Sequence, residues 1–233
     1  METSPTSAST SKKRIDLLDG WRTLAVALMI VWHLLYDLRE QGIGSIVPTY
    51  YPWRLIRCAA VHSFLFLAGV SCRLSKNNLR RGGKLCGCAM LVTLVMQLIG
   101  DPIVFGILHL LGLCTLLWAW WKPKGSVWAG LGCLALFAAL YPWLPDVRVS
   151  FDALFWLGLR SEEFYSADYY ALLPWGLLFF AGGFLGDWVC EKAQGIELPR
   201  WFTWPGRHAL LLYAVHQPVL LGCIWLWRST VNR

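Results

Sequence analysis

A chain of 233 residues with 57% apolar and only 15% charged side chains departs from soluble globular proteins, whose shares are roughly 45–50% and 25%. Fifteen Trp, eleven Phe and eight Tyr carry more apolar surface than a small soluble domain can hide. Disorder, a coiled coil and a disulfide scaffold are thereby excluded, which leaves an all-α polytopic transmembrane bundle.

In chain order, residues 1–13 read as a polar, disordered cytoplasmic tail, and residues 14–233 as one membrane domain. Lys12, Lys13 and Arg14 precede a first apolar run, Leu17–Leu38. Asp16, Asp19 and Arg22 interrupt it and no small-residue cleavage site follows, so it reads as an uncleaved helix and not a signal peptide. Six further runs are expected to span: Leu55–Arg73, Leu85–Gly100, Ile103–Trp121, Ser126–Leu144, Tyr169–Cys190 and His208–Trp227. Each approaches the ~20 residues needed to cross a bilayer, and none shows the alternation of a membrane barrel strand. The connection from Pro145 to Asp168 is the longest, and Phe151–Leu157 within it predicts a short interfacial helix. Gln217-Pro218 is expected to kink the seventh helix and free a carbonyl.

Lys and Arg in the connections are biased: thirteen fall on the N-terminal side of the bundle and seven on the other, with Arg22 inside the first span. The positive-inside rule then puts the N-terminus in the cytoplasm and the C-terminus outside. The net charge of +7 reads as topology and anionic-lipid contact, not nucleic-acid binding. Eight scattered cysteines show no metal-ligand spacing, because Cys86 and Cys88 point to different helix faces. They read as reduced packing residues, and no metal site is expected.

Ionisable groups inside apolar spans are costly and mark function or specific pairing. His33, His62 and His109 are expected at similar depth in the outer half of the bilayer, and His216 nearer the middle. Asp37 lies four residues beyond His33 on the same helical face, where it could orient the imidazole. Arg22 precedes His33 by eleven residues, close to three turns and about 16 Å, so the two share a face. Such a helix presents a cation at one end and a titratable base at the other. That suits a reaction fed from both sides, with an anionic donor docked at one end and an acceptor deprotonated at the other. Asp19 and Asp187 are expected to pair with Arg22 or His208, and Gly182, Gly183 and Gly186 to form a small-residue packing face.

Leu17-Leu18-Asp19-Gly20-Trp21-Arg22, followed after ten residues by His33, resembles the Arg-x10-His signature of acyltransferase-3-type membrane enzymes. The chain is more closely similar to bacterial relatives of the heparan-alpha-glucosaminide N-acetyltransferase catalytic domain. Four ordered stretches carry the resemblance: Arg14 through Asp37, Ser63–Ser71, Phe105–Gly112 and Gly206–Pro218. It implies an enzyme of the bacterial plasma membrane that takes an acyl group, usually acetyl, from cytosolic acyl-CoA. The group passes to a hydroxyl or amine of a glycan or similar acceptor on the far side.

On that reading Arg22, Arg73, Arg80, Arg81 and Arg207, with Lys76, hold the donor phosphates. His33, oriented by Asp37, is the general base or a transient acyl carrier. His109 polarises the thioester or helps bind the acceptor, and His62, His216 and Gln217 line a polar cavity. The lysosomal member carries a His-Ala-Pro-Trp stretch where this chain has Tyr50-Tyr51-Pro52-Trp53. Either His33 or His109 then replaces the absent histidine, or the chain is an inactive member. Two other classes fit transmembrane histidines: a small transporter or proton-coupled flippase, and a bis-His haem protein. Acceptor identity and a homo-oligomeric state stay open at this stage.

Overall fold

The computed structural model describes residues 14–43 and 51–231, so the expected N-terminal tail and Tyr50 lie outside the described residues. Eight α-helices follow in chain order: α1 Asp16–Glu40, α2 Tyr51–Leu74, α3 Asn78–Ile99, α4 Ile107–Trp121, α5 Val127–Leu140, α6 Leu177–Ala193, α7 Arg200–Arg207 and α8 Ala209–Val231. Isolated bridges such as Phe105 with Tyr169 are the only β pairing among the described residues. The all-α polytopic bundle read from composition is the observed architecture.

Among the described residues five segments are long and apolar enough to cross a membrane: α1, α2, α3, the run Leu172–Ala193 ending in α6, and α8. The other two expected spans, α4 and α5, have 15 and 14 residues. At 1.5 Å per residue they rise only ~22 Å, short of a ~30 Å hydrocarbon core. The missing lengths lie at one end. Ile103 was expected to open the fourth helix, but Pro102 and Gly106 keep that segment extended, and Gly106 is the N-cap of α4. Ser126 caps α5 by accepting the Ala129 N–H at 3.2 Å, and the helix stops at Leu140, not Leu144. Tyr169 does not begin the sixth span either; one π-helical turn, Leu172–Gly176, precedes α6.

Two further expectations are corrected. The third span begins at Asn78, seven residues earlier than predicted, because the Asn77 side chain caps it by accepting the Arg80 N–H at 2.8 Å. Arg80, Arg81 and Lys84 therefore belong to the first turns of α3. The interfacial helix expected over Phe151–Leu157 reduces to one 3-10 turn, Phe155–Leu157, closed by Gly158 at φ 125°. The last helix runs continuously through Pro218 to Val231. Helix α7 was not anticipated at all.

Packing is a row, α8–α1–α2–α6–α5, with the α3–α4 hairpin laid against α2 and α6 and α7 tucked under α1. Between apolar helices in lipid the hydrophobic effect supplies little, so close van der Waals approach decides which faces meet. At the α2–α6 crossing a Cβ on Gly182 would stand 2.0 Å from the Phe66 carbonyl oxygen. One on Gly69 would stand 1.9 Å from that of Phe179. Around this crossing Leu65, Leu110, Cys114 and Phe179 are wholly buried. No disulfide joins any cysteine among the described residues.

Exposed Trp120, Trp121, Trp128, Trp188, Trp201 and Trp204 gather at the Arg22 end, and Trp143, Trp225 and Trp227 at the His33 end. Two such girdles are the signature of headgroup-level anchoring.

Candidate active site

The two ends of α1 each hold a polar cluster. At the Arg22 end, the guanidinium bonds Asp19 at 2.5 Å and donates to Ser71 Oγ on α2 at 2.7 Å. Asp19, only 5% exposed, also accepts from Arg207 Nε at 3.2 Å, and Arg207 reaches Asp16 at 3.0 Å. Two carboxylates thus balance two guanidiniums. α7 can bring Arg207 this close because its Gly206 lies on α1: a Cβ there would meet the Asp19 carbonyl oxygen at 1.9 Å. Thr23 fastens the contact, donating to the Phe202 carbonyl at 2.6 Å and accepting the Gly206 N–H at 2.9 Å.

Arg81 has no carboxylate partner among the described residues. It donates to the Ala68 carbonyl at 3.2 Å and lies 3.6 Å from Cys72 Sγ. With Asn77, Arg80 and Lys84 from α3 and Leu210 from α8, it lines a cleft of about 450 Å³. Three cations and no carboxylate give this cleft a positive field. Of the five arginines expected to hold donor phosphates, Arg80 and Arg81 therefore line one cavity, with Arg22 close enough to Arg81 to feel its charge. Arg207 is neutralised by Asp16 and Asp19. Arg73 is elsewhere, in a two-point ion pair with Asp187 and bonded to the Pro123 carbonyl at 3.2 Å. Lys84 and Asn77 were missed as lining groups, although the spacing of 77, 80/81 and 84 marks one helical face once α3 is known to begin at Asn78.

At the other end, the His33 and His216 rings meet edge to face with centroids 4.7 Å apart. His33 Nδ1 lies 2.9 Å from the Met29 carbonyl and His216 Nδ1 lies 2.6 Å from that of Tyr213. A carbonyl only accepts, so each Nδ1 carries the proton and each Nε2 keeps a free lone pair. Asp37 does not orient His33, as the four-residue spacing suggested. His33 is already pinned by its own helix, and Asp37 instead accepts from Gln217 Nε2 of α8 at 2.8 Å. Three buried atoms of this cluster have no hydrogen-bond partner: Asp37 Oδ2, His216 Nε2 and Gln217 Oε1. Buried polar atoms rarely go unpaired, and a cluster of them marks a place where something polar binds.

The other histidines do not join this cluster, so the expected single polar constellation of His33, His62 and His109 is corrected. His109 has both nitrogens engaged: Nδ1 accepts the Gly106 N–H at 3.2 Å, and Nε2 lies 3.1 Å from Thr93 Oγ1. It pins the start of α4 to α3 and has no nitrogen left to polarise a thioester. His62 sits among Phe137, Tyr141 and Trp175, with its Nε2 buried and unpaired. His208 bonds the Trp204 carbonyl at 2.9 Å, not an aspartate. Since His33 and His216 touch edge to ring, no plane separates them for a porphyrin to occupy.

Between the two clusters α1 buries Val26 and Met29 against Ala60, with Leu212 and Tyr213 of α8 packed alongside. The loop after α5 closes a smaller cavity of about 190 Å³ beside α2, lined by Arg57, Arg160, Asp168, Tyr170 and Trp175 among others. Asp168 caps α4 there by accepting the Ile107 N–H at 3.0 Å. Burial pushes its carboxyl up to about 6, against the opposing pulls of that N–H and of Arg57. Burial likewise raises the Tyr170 phenol well above its ordinary value.

The match to known families falls on this same constellation. The model of the heparan-alpha-glucosaminide N-acetyltransferase catalytic family matches residues 14–218, from the residue before Ile15 and α1 to Pro218 beside the His216–Gln217 pair. The chain belongs to this family. No curated protein and no solved structure matches it. Family membership and the apolar helices together make it an integral membrane protein of an acetyltransferase class.

Proposed function

We propose that the chain transfers an acetyl group from acetyl-CoA, bound at the Arg22 end, to a hydroxyl or amine of a glycan or similar polar acceptor at the His33 end. The observation that carries this reading is the pairing of opposites along α1: an anion-receptive cleft at one end, and two imidazoles with free Nε2 atoms at the other. Arg80, Arg81 and Lys84 hold donor phosphates. The cleft opens between α3 and α8, so the acyl-bearing arm lies against α8, whose packing is chiefly with α1. It reaches His33 only when the Val26–Met29 layer parts from α8.

His33 Nε2 then accepts the acceptor proton as its oxygen or nitrogen attacks the thioester carbonyl carbon. The C–S bond breaks, and the imidazolium returns the proton to the departing thiolate. His216 flanks the base, and Asp37 with Gln217 offers unpaired oxygens to acceptor hydroxyls. The positive-inside bias supports a cytosolic Arg22 end, and the resemblance to bacterial relatives supports a plasma-membrane setting.

The test is incubation of the detergent-purified full chain with radiolabelled acetyl-CoA and a membrane glycan extract. Label is expected on carbohydrate, with His33→Ala losing at least ~100-fold in rate while still inserting into membranes. Unchanged turnover in that variant overturns the role of His33. Label trapped on the protein at His33 replaces general-base catalysis with an acyl-imidazole carrier.

A further inference from the structure

The cavity beneath the outer loop is not used by the chemistry above, and its two guanidiniums are unusual. Arg57 stacks over the Trp32 ring at 5.5 Å and Arg160 over the Tyr169 ring at 4.6 Å. Stacking fixes the planes while leaving the in-plane N–H groups to bind. Among the described residues neither forms an ion pair, and Arg160 Nε is buried with no acceptor. A buried guanidinium N–H without a partner, as at Arg160 Nε, is costly, and with the more exposed Arg57 lining the same cavity a planar oxyanion fits the pair.

We infer that this cavity is an acceptor-anchoring subsite that holds the carboxylate of a small acidic sugar or hydroxy acid between Arg57 and Arg160. Its 190 Å³ lies below the ~300 Å³ of drug-sized pockets, so the ligand is one sugar ring or smaller. Trp175 and Tyr170 supply flat walls, and Asp168 accepts from a hydroxyl. Burial keeps that carboxyl protonated to about 6, so in mildly acidic surroundings it repels an anion less. Tyr213 lies within electrostatic reach of both Asp168 and Tyr170, and its ring lies tilted against that of His216, centroids 5.6 Å apart. An acid anchored here therefore lies one layer of side chains from the His33–His216 pair. This placement rests on the transfer reading; the binding itself does not.

Calorimetric titration of the detergent-purified full chain, with no acyl donor, tests it using glucuronate, glucose and glucose 6-phosphate at pH 6. Glucuronate is expected to bind at least tenfold more tightly than glucose. Arg160→Gln should erase the difference, and Arg160→Lys, which keeps the charge but loses the fork, should retain part of it and control for misfolding. Equal affinity for acid and neutral sugar overturns the proposal, as does a preference that survives Arg160→Gln. Tighter binding of glucose 6-phosphate overturns the assignment to a carboxylate. Glucuronate binding without any acyl transfer leaves the anchor standing and removes the transferase reading. Transfer confined to neutral acceptors, at a KM indifferent to Arg160→Gln, does the reverse.

Discussion

A single carboxylate, Asp19, ties α1 to α7 by accepting from both Arg22 and Arg207 while almost wholly buried. Removing one partner from such a network leaves cations without compensation. Asp19→Ala is expected to cost about 2–3 kcal/mol, below the full penalty of a buried pair because both arginines are about a quarter exposed. A thermal melt in detergent measures it, and a loss under 1 kcal/mol would contradict the bridging role. The spacing of Arg22 and His33 predicts a shared helix face, since eleven residues return nearly to the same direction, and in the fold Arg22 meets Ser71 of α2 while His33 meets His216 of α8. The partner of His33 was not legible from spacing. His216 meets it across two helices far apart in sequence, and only tertiary packing sets that contact. Asp37 shows the same limit, because its i+4 relation to His33 was real but Gln217 of α8 offered a better donor.

Among elements, the spans were legible because twenty successive apolar residues seldom occur outside a membrane-crossing helix, whereas their ends depend on polar details that hydropathy averages away. Asn77 extends α3 downward into a basic turn, and Pro102 and Gly106 trim α4. α7 escaped notice because eight residues with Trp201 and Trp204 exposed and Thr203 and Gly206 buried resemble a loop to any long window. The crossing of α2 and α6 makes a sharp demand. Gly182→Val would drive a side chain into the Phe66 carbonyl, so it is expected to destabilise by more than ~3 kcal/mol and lower the yield of folded protein in detergent. Near-normal yield would mean that the helices can separate there.

The start of α4 carries a pH signature. Asp168 binds its proton more tightly in the folded chain, with a value of about 6 against ~3.9 for a free aspartate. The folded state therefore holds the extra proton between these values. Its contribution to stability is full below pH ~4, falls as the pH rises, and is gone above ~6, a change of about 3 kcal/mol. Arg57, Tyr170 and Tyr213 are the ionisable groups facing it. Asp168→Asn should flatten the melting temperature against pH over that window, and an unaltered slope would contradict the assignment.

On the scale of the whole molecule, two polar ends separated by an apolar layer are what the proposed transfer requires, with an anionic donor at one end and a basic imidazole at the other. Charge bias is the sequence's own argument for direction, because lysine and arginine in short connections favour the cytosolic side, and it predicts a cytosolic Arg22 end. The cleft between α3 and α8 was not readable, since it exists only where two helices fail to touch. Arg81→Ala is expected to raise the KM for acetyl-CoA about tenfold with little change in kcat, because a phosphate contact made equally in ground and transition states affects binding alone. A fall in kcat at constant KM would move the donor elsewhere.

The most direct test reconstitutes the chain into sealed vesicles of known orientation, with the Arg22 end facing the medium and a glycan acceptor trapped in the lumen. Labelled acetyl-CoA added outside should place label on luminal carbohydrate in wild-type vesicles and none in those bearing His33→Ala. Label appearing only on acceptor supplied to the same side as the donor would contradict passage of the acyl group along α1.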